Sequence, residues 1–585
     1  MYIASIVVTG ARAWLVWASA LVLAACGETR ARRPSVLLVT LDTTRADALG
    51  PYGRDPSVSP HFDALAREST TYLWARTVTP TTLPAHSSML TGLYPNRHTV
   101  RDNTLTALPQ SASTLAELAA LADYETAAFV SARVLDSTFG LAQGFATYSQ
   151  PARVKKRASD PTFASRRARD TAAEFARWLD VLPDERSFFA WVHFFDAHTP
   201  WEAGESWLSR AGGQPYLAEI AAQDDALGSL LAELRTRGRD GDTTVLVVGD
   251  HGEGLGDHGE ATHSYFVFDS TLRVPFVVRR ADRAGAGTRS EDTVSVVDVL
   301  PTLCDALALD APAGIDGVSL WRGPLDAERG VYFESYYGFL HYGMAPIAGW
   351  VDARAKYVHS SRRELYDPRQ QPSESTSLLA ERSADVERYR GWIEQQERKS
   401  ALEPDRERRL DDRVLRDVQA LGYAGAVSLT AGFPSALAES ARPSPHERAE
   451  ELQACERARD LVFAGRFQAA ARLLQEVLES HPDNCFALEH LGFAELNLGA
   501  PSAARARFER AIALGPDRSS LQRGLALALA AAGELAQAQV ALERARVLDP
   551  SDVVVLELLL ANAVERKDDA ARARWQTELE RTRTP

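Results

Sequence analysis

The sequence predicts an α/β fold, a large doubly wound and mostly parallel sheet, followed by an all-α repeat array. Continuous apolar runs at 36–41, 188–194, 245–248 and 275–278 read as strands buried on both faces. Helical patterns fall between them, for instance from Thr114 to Ala122 and from Ala172 to Leu182. Such alternation across residues 34–385 fits one doubly wound domain. The third observation is periodic. Pro482, Pro516 and Pro550 are 34 residues apart, as are Gly465, Gly499 and Gly533, then Ala470, Ala504 and Ala538, then Leu474, Phe508 and Leu542.

Composition bounds the rest. The chain has 585 residues, 45% hydrophobic and 25% charged, which is ordinary for globular domains and too long for one of them. A net charge of −14 without a long Lys/Arg run argues against a nucleic-acid partner.

Residues 13–25 form an apolar run closed by Cys26. It is short for a membrane span and reads as an export signal. Leu23-Ala24-Ala25-Cys26 resembles the bacterial lipobox, which implies lipidation of Cys26, a short tether over 26–33 and an anchor in the cell envelope. Gly27-Glu28 lacks the aspartate that retains lipoproteins at the inner membrane in some bacteria, which favours the outer one. Cys304, Cys455 and Cys485 show no CxxC spacing and are expected as buried free thiols. The 34-residue period resembles the tetratricopeptide repeat. It implies three helix pairs from about 446 to 550, a helical cap from Val553 to about Glu580, and a surface for a peptide or protein partner. Residues 386–445 are left as a helical or irregular linker.

The chemistry lies at the strand ends. The first run ends in Asp42, and the 245–248 run ends in Gly249-Asp250-His251-Gly252-Glu253. In open α/β sheets ligands collect beyond the carboxyl ends of strands. Two carboxylates and an imidazole suit one divalent ion such as manganese or zinc better than calcium, which prefers oxygen ligands. Asp-His-Gly-Glu recurs at 257–260, but only the first copy follows an apolar strand and has a rigid platform. The second is assigned to a glycine-rich loop at the mouth. In Thr82-Leu83-Pro84-Ala85-His86 the proline is suited to the first helical position. Thr82 then sits at a helix N-terminus, where a negative oxygen is stabilised, and the metal supplies the activation its hydroxyl needs.

These motifs, in the order Val-Thr-Leu-Asp42-Thr-Thr-Arg, Thr82-Leu-Pro-Ala-His-Ser-Ser-Met-Leu-Thr-Gly-Leu-Tyr-Pro and Gly-Asp250-His251-Gly-Glu, resemble the sulfatase branch of the alkaline phosphatase superfamily. His193-Phe-Phe-Asp-Ala-His198-Thr-Pro, Ser270-Thr-Leu-Arg-Val-Pro275, Lys356-Tyr-Val and Glu364-Leu-Tyr-Asp367 are similar to its later landmarks. The resemblance implies a hydrolase of sulfate or phosphate esters. Its ion would be bound by Asp42, Thr82, Asp250 and His251, and Thr82 would be the nucleophile. His198 would bind the anion and assist the leaving group. His263 is given the same two roles, His86 is expected to orient Thr82, and Arg101 is a candidate anion ligand. Two departures qualify the resemblance. Sulfatases make a formylglycine from Cys or Ser in Cys/Ser-x-Pro-x-Arg, whereas here the frame holds Thr82 and His86. The second of two adjacent metal-binding aspartates is Thr43. This one-acid, threonine-based set is similar to phosphoglycerol and phosphoethanolamine transferases, an alternative activity. A catalytically degenerate, lipid-anchored scaffold is the alternative from another class.

Overall fold

The computed structural model describes residues 33–103, 106–151, 165–405, 432–515, 517–549 and 552–583. Cys26 with the apolar run before it, and Pro516 and Pro550 of the repeat, lie outside the described residues.

Eight strands make the main sheet: β1 (Ser35–Leu41), β2 (Thr70–Arg76), β3 (Glu125–Phe129), β4 (Thr147–Ser149), β5 (Phe188–Phe194), β6 (Thr243–Gly249), β7 (Phe276–Arg279) and β8 (Arg289–Ser295). Their order is β4-β3-β5-β1-β6-β7-β2-β8. All pairs are parallel except those of β7, which runs antiparallel to β6 and β2. The central β1, β5 and β6 are buried along their whole length, as continuous apolar runs require, because helices cover both faces. One face packs on α1 (Pro60–Arg67), α4 (Ala168–Val181) and α5 (Pro215–Thr236). The other packs on α2 (Thr82–Thr91), α3 (Leu115–Leu121) and α6 (Val299–Ala306). Helix α3 begins where its sequence demands. Thr114 and Glu117 form a capping box, the hydroxyl accepting from the Glu117 N–H and the carboxylate from the Thr114 N–H.

A second, antiparallel sheet is made of β9 (Val331–Ser335), β10 (Ile347–Val351), β11 (Lys356–His359) and β12 (Arg363–Tyr366), with α7 (Tyr337–Tyr342) inserted between β9 and β10. Helix α8 (Ser383–Glu397) closes this sheet, with Trp392 against Trp350 and Tyr389 stacked on Tyr357. The hydrolase-like body therefore runs on through Glu397, into residues the sequence left as linker.

The C-terminal region is all helix: α9 (Ala449–Phe463), α10 (Phe467–Ser480), α11 (Cys485–Asn497), α12 (Pro501–Leu514), α13 (Ser519–Ala531), α14 (Leu535–Leu548), α15 (Val553–Glu565) and α16 (Asp569–Arg583). The conserved spacing has a structural meaning at each column. Gly465, Gly499 and Gly533 follow the first helix of each pair with φ of 71°, 78° and 80°, the left-handed conformation that glycine adopts without strain. Ala470, Ala504 and Ala538 are fully buried where helices cross. The stretch after Val553 is a fourth helical hairpin rather than a single cap, with Trp575 and Leu579 buried against its partners. The array is not a separate bead. Leu452, Cys455, Phe486 and Leu491 belong to the same apolar cluster as Tyr342 and Met344. Cys304, Cys455 and Cys485 are free and buried. Among the described residues no helix is long and apolar enough to cross a membrane.

Candidate active site

Strand register builds the site. Leu41 pairs with Phe194 on one side and with Gly249 on the other. The residues that follow, Asp42 and Asp250, therefore emerge side by side on one rim, with the Asp250 N–H donating to Leu41 O. Each acid has one oxygen held and one left over. Asp42 Oδ2 lies 3.3 Å from His193 Nε2. His193 Nδ1 accepts the Ser131 N–H, so its Nε2 carries the hydrogen and donates to Asp42. Asp250 Oδ1 accepts the N–H groups of Thr43 and His251, at 3.2 and 2.7 Å. Asp42 Oδ1 and Asp250 Oδ2 are buried without a hydrogen-bond partner.

These two oxygens are placed where a cation could bind. Burial, and then the charge of Asp42, push the Asp250 carboxyl well above the usual carboxylate range. Asp42, Asp250 and His251 each present a ligand atom, and all three atoms lie within 4.8 Å of one another. His251 Nδ1 faces Gly252 O at 2.9 Å. Only an N–H can face a carbonyl, so Nε2 offers its lone pair. Burial holds this imidazole near a pKa of about 3, neutral and fit to coordinate. Two carboxylates and one neutral imidazole match a divalent ion of the manganese or zinc kind.

Thr82 stands beside this group. Its Oγ1 is 3.2 Å from His251 Nε2, at the first residue of α2. Pro84 is the third helical residue and not the first, still within the turn where N–H groups have no helical partner. The Leu83 N–H is taken instead by Asn103 Oδ1 at 2.9 Å. Asn103 Nδ2 is buried without a partner, a donor next to the helix start that carries Thr82. Nothing in the residue pattern announces this role, because an amide capping a helix 20 residues upstream leaves no periodicity.

Two more histidines complete the cluster. The His263 ring lies 4.5 Å from that of His251 and 5.2 Å from that of His198, and its Nδ1 is 3.1 Å from Glu253 Oε1. His198 Nδ1 donates to Thr199 O at 2.6 Å, which turns Nε2 into the acceptor, and the ring stacks on Phe195. Burial holds both histidines at a pKa of about 4. Both rings are therefore held in the neutral form.

The residue 34–309 segment matches the family model described as Sulfatase, and residues 256–391 match N-sulphoglucosamine sulphohydrolase, C-terminal. Residues 34–391 are therefore similar to sulfatases. It is 27% identical over 338 residues to an ulvan-active sulfatase of Formosa agariphila, a match covering 49% of this chain and 64% of that protein, so about a third of that relative lies outside the match. It is 23% identical to a Δ4,5-hexuronate-2-O-sulfatase of Bacteroides thetaiotaomicron, over 61% of this chain and 87% of that one. A structure solved with D-glucosamine-2-N,6-O-disulfate superposes with a TM-score of 0.55 at 18% identity, covering 64% of this chain and all of that one.

Arg101 and His86 are each engaged by protein groups. Arg101 is committed to a buried carboxylate. One edge of its guanidinium, Nε and Nη2, is engaged by Glu334 at 3.0 Å, and Tyr336 and Phe433 lie against it. A bidentate arginine packed against two aromatic rings is a structural interlock. His86 does not touch the Thr82 hydroxyl. Its Nδ1 donates to the Thr82 carbonyl at 2.8 Å and its Nε2 faces Thr40 Oγ1 at 3.0 Å. It orients Thr82 through the backbone of the first turn of α2 rather than through the hydroxyl, and its Nδ1 also lies 3.6 Å from Asp250 Oδ2. Lys356 is buried between Asp269 and Glu374, away from the histidine cluster.

Proposed function

We propose that this chain is a metal-dependent hydrolase of sulfate esters in which Thr82 is the nucleophile. The observation that carries it is the pair of orphaned oxygens on Asp42 and Asp250 beside a threonine hydroxyl held 3.2 Å from His251 Nε2. Asp42, Asp250 and His251 would hold the ion, which when bound acidifies the Thr82 hydroxyl and neutralises one ester oxygen. The remaining chemistry belongs to the side chains. Thr82 gives up its hydroxyl proton to solvent, and Oγ forms a bond to the central sulfur as the bond to the leaving oxygen breaks, giving a sulfo-threonine and an alkoxide. The ester's charge opposes the burial that holds His198 at a pKa of about 4. Its protonated Nε2 then delivers the proton to the leaving oxygen. His263 and the Asn103 amide supply hydrogen bonds to the equatorial oxygens. Water attacks the sulfo-threonine in turn and returns the free hydroxyl.

A phosphate ester is the second reading, favoured by Thr82 itself. A threonine cannot expel sulfate by elimination as a formylglycine hydrate does, so either ester must be cleared by direct displacement. The relatives' names support a sulfated carbohydrate as substrate. Cys26 in its lipobox-like setting supports an envelope-anchored lipoprotein, and the 34-residue period supports tetratricopeptide repeats that take a protein partner.

The test assays the full chain, loaded with manganese or zinc, against aryl sulfate, aryl phosphate and an aryl phosphodiester. Sulfate turnover lost by at least about a thousandfold in Thr82→Ala supports the proposal. Phosphate turnover alone supports the second reading. Turnover of none of the three leaves the scaffold alternative standing.

A further inference from the structure

His263 reaches the cluster on a loop, and the outer side of that loop rests on the helical array. Within the loop, the Gly254 N–H donates to Thr262 O at 2.6 Å, and Glu260 Oε1 accepts the N–H groups of Tyr265 and Phe266 at 2.9 and 3.1 Å. Ser264, directly after His263, has a φ of 93°. Such a backbone is strained for a residue with a Cβ and persists only where its surroundings over-determine it.

Helix α9 supplies those surroundings. Gln453 Nε2 donates to Gly259 O at 2.5 Å. A Cβ on Gly259 would stand 2.8 Å from Ala449 Cβ, so helix and turn are in direct contact. Glu456 Oε1 accepts from Thr262 Oγ1 at 3.2 Å and from Tyr265 Oη at 3.0 Å. These donors flank His263 in the sequence, so one carboxylate oxygen ties down both ends of the segment that carries it. Tyr265 Oη also meets Tyr342 Oη at 2.9 Å, and Tyr342 stacks on Phe486 of α11. The clamp is therefore anchored in two helices of the array.

We infer that Glu456, from the helical array, is a positioning residue of the ester-cleaving site, holding the 254–265 loop so that His263 stands against His198 and His251. The inference rests on the proposed function for its kinetic consequence but not for its structural one. An array built this way buttresses the site through the loop that carries His263.

The experiment compares full-chain Glu456→Ala, Glu456→Gln and the distal control Arg523→Ala, which breaks a pair with Asp552 in the later hairpins. Amide hydrogen exchange over 254–265 is read first, since it needs no turnover. Glu456→Ala is expected to speed exchange there by at least about tenfold, while Glu456→Gln, which keeps an acceptor oxygen, and Arg523→Ala stay near wild type. Aryl-ester kinetics are read second. Glu456→Ala is expected to lower kcat/KM by roughly 10- to 100-fold, and to add less than about twofold in a His263→Ala background, because it acts through that residue. Unchanged exchange in Glu456→Ala, or losses that multiply fully with His263→Ala, would overturn the inference. If the wild type turns over no ester, the proposed function fails and the exchange result still decides the clamp. If Glu456→Ala does not fold, Gln453→Ala and Thr262→Val carry the same two readouts.

Discussion

Asp-His-Gly-Glu occurs twice within eleven residues, at 250–253 and 257–260, and the two copies have become different objects. In the first, Asp250, His251 and Glu253 are fully buried at the end of a strand locked between neighbours. In the second, Asp257 is half exposed and pairs with Arg45 at 2.8 Å. His258 has a φ of 55° and stacks on Phe268. Only Glu260 turns inward, to organise the loop behind His263. Identical side chains thus supply two candidate metal ligands, Asp250 and His251, in one case and a turn with a structural carboxyl in the other. Register made the difference. The first copy inherits its geometry from β1 and β6, and the second has only local turns to hold it.

The comparison breaks most visibly at the acids. Asp250→Ala should abolish stoichiometric metal binding and lower kcat/KM by at least about a hundredfold. Asp257→Ala, which removes a surface ion pair, should change kcat/KM by less than about threefold. Metal analysis and kinetics on both variants check this. Equal losses would erase the distinction drawn here.

The glycines give the next largest effect. A Cβ on Gly252 would lie 2.1 Å from Ser270 O, a backbone atom. Gly252→Ala should therefore destabilise the fold by about 3 kcal/mol or more. Gly259 has a φ of 85° and faces the Ala449 methyl at 2.8 Å. Gly259→Ala should cost about 1–2 kcal/mol. Urea midpoints of the two variants order them.

The histidines separate by pH, and by less. In chelated protein His251 is held at a pKa of about 3, chiefly by burial and then by His263. Its folded value lies below the ordinary 6.5, so the unfolded chain takes up the proton first. Its contribution to stability is complete above pH 6.5 and drains away as pH falls from there toward 3. His258, half as enclosed, is also lowered by burial and then by His446. The stability advantage of wild type over His251→Gln should shrink across that acid window more than its advantage over His258→Gln. Urea titrations at several pH values measure both gaps.

Much of this was legible in the chain, for physical reasons that can be named. Strands buried on both faces write themselves as unbroken apolar runs, and Phe188–Phe194 was read to the residue. Asp42 and Asp250 followed because strand ends are where a parallel sheet offers its rim. The run at 275–278 was equally clear as a strand, yet its antiparallel direction has no signature in composition. The engagement of Arg101 was not legible because its partner Glu334 lies 233 residues away, and a lone arginine looks the same whether it awaits an anion or already has one. The helical period gave the array its helices, but nothing periodic announces that Gln453 and Glu456 face another domain's loop.

The central claim is that Thr82 becomes covalently modified during turnover. Metal-loaded full chain, mixed with an activated aryl sulfate or aryl phosphate and quenched in acid, can be digested and its peptides weighed. The account predicts one sulfo or phosphoryl group on Thr82, absent from Thr82→Ala along with turnover. Turnover that survives Thr82→Ala, or a label carried by another residue, would contradict it.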